Sequence, residues 1–104
     1  MKDRAANFLA SLRFEEPPAP MTAPLRAIWH GLRGEWDSAH EIVQAGSDQD
    51  SAWVHAWLHR VEGDLSNARY WYGRAQKQMP AGTTGEEGEA IAAALLQTGV
   101  ETAP

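Results

Sequence analysis

Two histidines, His55 and His59, stand four residues apart, and Glu62 follows three residues later. On a helix that spacing puts all three side chains on one stripe. Neutral imidazoles at i and i+4 can both reach one metal ion, and zinc, copper, nickel and iron all accept that ligand. Glu62 offers another donor. His40, with Asp37 one turn before it, could approach from an adjacent helix. The expected set is therefore His40, His55, His59 and Glu62 around a divalent transition metal, with Tyr72 as a further neighbour. The competing reading is that His55 and His59 hydrogen-bond to backbone, to Glu62 or to Asp37. The acid of a metalloprotease helix is missing, because Ala56 follows His55.

Other chemistry finds little support. Asp37 with His40 could orient a general base, but no serine sits in a nucleophile-elbow context. Gly31-Leu32-Arg33-Gly34 lacks the Lys-Ser or Lys-Thr of a phosphate loop. The chain has no cysteine, which excludes disulfides, thiol catalysis and Cys-ligated zinc. No catalytic residue is assigned.

All five tryptophans, like all four histidines, fall between Trp29 and Trp71. Tryptophan supplies much of the area that a small domain must bury. Tryptophan and arginine are also the usual energetic anchors of interfaces. Trp53, Trp57 and Arg60, with Ile28 and Leu32, form the face expected to bind a protein partner or a second copy of the chain. Burial of Trp53 and Trp57 under the terminal helices is the alternative.

These residues need helices to position them, and the sequence reads as all-α. An N-terminal helix is expected within residues 1–14, capped by Asp3, followed by a proline-rich linker over 15–23. Pro24 fits the first turn of a second helix that runs to about Arg33 and stops at Gly34. A third covers about Glu35 to Ala45, with Gly46 as a left-handed cap. A fourth covers about Ser51 to Glu62 and ends at Gly63. A fifth runs from Asp64 to about Met79 and stops at Pro80. Thr84 and Glu87 have capping-box spacing, which starts a last helix over 84–99. Glu86, Glu87 and Glu89 read as its acidic first turn, and Val100 to Pro104 as a frayed tail.

The chain carries an internal repeat. A shift of about 29 residues lays Ala27 on Ala56, His30 on His59, Gly34 on Gly63, Glu35 on Asp64 and Ala39 on Ala68. The small residues let helices approach, and glycine followed by an acid turns the chain and starts the next helix. The second unit resembles a tetratricopeptide repeat, with Ala56, Gly63, Ala68, Ala75 and Pro80 on the family's small-residue, turn and proline positions. Asn67-Ala68-Arg69-Tyr70-Trp71-Tyr72-Gly73-Arg74-Ala75 looks like the Sel1 subclass. The stretch from Glu62-Gly63-Asp64 to Arg74-Ala75 is also similar to a group of uncharacterised bacterial and fungal proteins, which implies no activity. The repeat resemblance implies antiparallel hairpins over 24–80, capped by the terminal helices. It also implies scaffolding, by protein–protein or self-association.

With 104 residues, 43% hydrophobic and 22% charged, the chain fits one globular domain over 1–104. A net charge of −5 argues against nucleic-acid binding. The local cations Arg69, Arg74 and Lys77 read as a solvated helix face. No apolar run approaches the ~20 residues that span a bilayer. Phe8-Leu9-Ala10-Ser11-Leu12-Arg13 is too short and broken for a signal core. A cytoplasmic protein without a membrane partner is expected.

Overall fold

The computed structural model describes residues 4–18 and 20–99. The expected cap at Asp3 and the tail from Val100 to Pro104 lie outside the described residues, as does Ala19 within the linker. The described residues form α1 (Arg4–Ala10), a 3-10 turn (Ser11–Arg13), α2 (Ala23–Leu32), α3 (Trp36–Ala45), α4 (Gln49–Glu62), α5 (Leu65–Ala75) and α6 (Thr84–Gly99). No strand occurs among them. No helix among them is long and apolar enough to cross a membrane.

The two repeated segments fold into two helical hairpins, α2–α3 and α4–α5, and α3 packs on α4 to join them. The turns are alike in detail. Gly34 and Gly63 have φ of +84° and +90°, a region that costs little only for glycine. After each, the next residue's N–H closes on the carbonyl five residues back: Glu35 on His30 and Asp64 on His59, both at 2.9 Å. Ala27, Ala39, Ala56 and Ala68 are all fully buried, so the small-residue positions are where the helices meet.

The main core lies where α6 crosses α2 and α4. Leu25, Ile28 and Trp29 meet Val54, Trp57 and Leu58 there, with Ile91 and Leu95 closing the top. Trp29 buries its ring yet keeps a partner, since Nε1 donates to Ser11 Oγ at 3.0 Å. The N-terminal segment is tied down by Arg33, whose guanidinium donates to the carbonyls of Leu12 (2.7 Å) and Phe14.

Four element ends differ from expectation. Gly46 is extended (φ −92°), not left-handed. A Cβ there would lie 2.6 Å from Ser51 Oγ, so close approach to the start of α4 accounts for the glycine. The helix after it begins at Gln49 because Asp48 caps it, accepting from Ser51 N at 3.0 Å. α5 ends at Ala75, a turn before Pro80: Gln76 takes the left-handed conformation (φ 60°), and Gln49 Nε2 caps the Ala75 carbonyl at 2.5 Å. The capping box of α6 is Thr83 with Glu86, not Thr84 with Glu87; each side chain accepts the other residue's N–H at 3.0 Å. That one-residue shift turns Glu87 inward.

Candidate metal centre

His40 projects from α3, and His55 and His59 from α4, where the two hairpins meet. One ring nitrogen of each lies within 4.8 Å of the others. His40 Nε2 and His55 Nε2 are 3.1 Å apart. Two nitrogens on one tetrahedral zinc, with bonds of about 2.0–2.1 Å, stand about 3.3 Å apart. The pair stands close to that separation, and His59 completes a face of three imidazoles. Without an ion, one proton shared between the His40 and His55 nitrogens satisfies both.

The aromatic residues of the segment form the walls. Trp36, one turn before His40, stacks on its ring with centroids 4.6 Å apart. Trp36 Nε1 donates to the Leu58 carbonyl at 2.7 Å, which anchors this wall to α4. On the other side Trp71 of α5 stacks on His55 at 4.0 Å. Parallel rings on both sides restrict how His40 and His55 can turn. His55 and His59 are themselves 4% and 7% exposed, so neither imidazole is a solvated surface group.

Glu62 does not join this set. Its Oε2 accepts from His59 Nδ1 at 2.8 Å, and with Asp64 it forms a second, outer grouping around His59. Tyr72 is also elsewhere. Its hydroxyl donates to Glu87 Oε2 at 2.5 Å, while Arg60 pairs with Glu87 Oε1 at 2.7 Å. That network joins α4, α5 and α6, and carries no donor to the histidines.

The expected partner face is covered. Ile28 and Trp57 lie in the core, Leu32 is half-buried against it, and Arg60 is held by Glu87. α6 packs on both α2 and α4 and fills the groove these residues line. Trp53 is half-buried, with the Lys77 ammonium 4.2 Å from its ring centroid.

Burial and neighbouring imidazoles favour the neutral forms of His40 and His55. Burial, then the nearby His40 and His59, pushes His55 down to about 4. His40 is lowered by burial and by His59, partly opposed by Glu62 and Asp37. Neutral imidazole is the form that binds metal. The same shifts fix a stability trend. A histidine that protonates less readily in the folded chain than in the unfolded one contributes fully above about pH 6.5 and progressively less as pH falls toward 4. The metal-free protein should therefore melt lower at pH 4.5 than at pH 7, by at least about 5 °C for a domain this size. The difference should shrink in His55→Gln. Equal melting temperatures in the wild type at the two pH values would contradict this.

Comparison with protein-family models, with curated proteins and with solved structures finds no match to this chain.

Proposed function

We propose that this chain is a small helical metal-binding protein that holds one divalent transition-metal ion, zinc foremost, on His40, His55 and His59. The convergence of three imidazole nitrogens from two hairpins carries this reading. An all-imidazole face suits zinc, copper, nickel and cobalt better than magnesium or calcium, which take oxygen ligands. Three protein donors leave one position of a tetrahedral ion for water or an outside ligand. Because the donors come from both hairpins, the ion would also clamp α3 to α4.

Calorimetric titration of chelator-treated protein with zinc chloride tests this. One ion per chain is expected. His40→Ala and His55→Ala should each weaken binding at least about 100-fold, more than loss of an outer hydrogen-bonding partner costs. Free zinc at one hundred times the dissociation constant adds about 2.7 kcal/mol, which raises the melting temperature by roughly 10–20 °C. No binding heat and no thermal shift with zinc, copper or cobalt would remove the proposal.

A second reading, association with a protein partner or another copy, has its own observation. Val61, Leu65 and Tyr70, all on the α4–α5 hairpin, are large apolar side chains exposed by 42%, 42% and 55%. The repeated glycine-acid turn supports the tetratricopeptide-like character of that hairpin. Concentration-dependent mass in light scattering would favour this reading, and a strict monomer would count against it.

A further inference from the structure

Glu62 stands in an unfavourable place. It is the last residue of α4, where the partial negative charge of the helix end disfavours a carboxylate. It is also where the repeat breaks. The matching residue of the first hairpin, 29 positions earlier, is Arg33, a cation at a helix end. In that hairpin His30 Nδ1 pairs with Glu35, the acid after the glycine, at 2.8 Å. The second hairpin keeps an acid in that place, Asp64, which instead caps α5 by accepting from Asn67 N. His59 Nδ1 is taken by Glu62 at 2.8 Å. The histidine–carboxylate pair is thus kept, while the acid that makes it moves to a position the helix resists.

Resting on the metal reading above, we propose that Glu62 is a positioning residue for His59 and not a ligand. An ionised carboxylate only accepts, so it holds the proton of His59 on Nδ1. That leaves the Nε2 lone pair for the ion, matching the Nε2 atoms that His40 and His55 already turn toward each other. A carboxylate behind a metal-bound imidazole fixes its tautomer and raises its basicity. Glu62 is 39% exposed, so replacing it opens no cavity in the core.

The test pairs two measurements on the full chain. Long-range proton–nitrogen spectra of the metal-free protein read the His59 tautomer, and zinc titration reads affinity. In the wild type His59 carries its proton on Nδ1. In Glu62→Ala an Nε2-protonated population appears, and zinc binds about 10–100-fold more weakly. Its melting temperature should shift only modestly, because loss of the His59 hydrogen bond opposes the removal of an unfavourable helix-end charge. Glu62→Gln keeps a carbonyl acceptor, so it should retain the Nδ1 tautomer and lose less than about tenfold, a neutral acceptor being weaker than a charged one. Unchanged zinc affinity in Glu62→Ala, or an unchanged tautomer there, would overturn the role of Glu62 while leaving the three-histidine site standing. A wild-type chain that takes no zinc would overturn both.

Discussion

Replacing Trp57 with alanine should lower stability by about 3–5 kcal/mol, the range for emptying a buried large aromatic site. Trp57 is 2% exposed, and its indole N–H donates to the Thr84 carbonyl at 2.8 Å. Two glycines hold the ring from opposite helices. A Cβ on Gly31 of α2 would lie 2.4 Å from Trp57 Cζ3, and one on Gly88 of α6 would lie 2.6 Å from Cζ2. These helices approach so closely because they lack side chains there, and the indole fills the remaining space. The alanine variant loses this packing and leaves the first-turn carbonyl of α6 without its indole partner. Urea unfolding followed by circular dichroism measures the loss, which is a large part of the ~5–15 kcal/mol a domain has. A variant that stays within about 1 kcal/mol of wild type, but loses a partner or an oligomer, would return Trp57 to the binding face.

The second large effect belongs to Glu87. Its side chain is only 4% exposed, and both oxygens are occupied, one by Arg60 and one by the Tyr72 hydroxyl. Burial, then the hydrogen bond to Glu87 and its charge, raises the Tyr72 phenol well above its ordinary value, so it remains a neutral donor. Glu87→Ala leaves the Arg60 charge, 13% exposed, without its ion pair. Breaking such a buried pair from one side costs about 3–5 kcal/mol. Tyr72→Phe removes only the neutral donor and should cost about 1–2 kcal/mol. A double-mutant cycle in urea should show that the two losses do not add. Equal, small and additive losses would mean that the network does not hold α6 in place.

These effects show which parts of the molecule local sequence encodes. The glycine-acid turn is a short-range signal: positive φ needs glycine, and the acid favours the next helix start. Both turns form where Gly34-Glu35 and Gly63-Asp64 occur. The spacing of His55, His59 and Glu62 likewise fixes their common stripe, because helical periodicity is a local property. Helix ends were less legible. Gln76 stops α5 in a conformation usual for glycine, and its cap comes from Gln49, which is distant in sequence.

By itself, then, the sequence determined the helices, the two hairpin turns and the histidines of one α4 stripe, all set by neighbours within about a turn. Only the tertiary structure decided that His40 meets His55, that Glu62 backs His59 and does not face the imidazole cluster, and that α6 covers Trp57 and Ile28. It also turned Glu87 from an expected helix-start acid into a buried partner of Arg60 and Tyr72. The physical reason is distance along the chain. Each of these outcomes depends on which helix faces pack together, and that choice rests on burial summed over the whole fold, which no local spacing records.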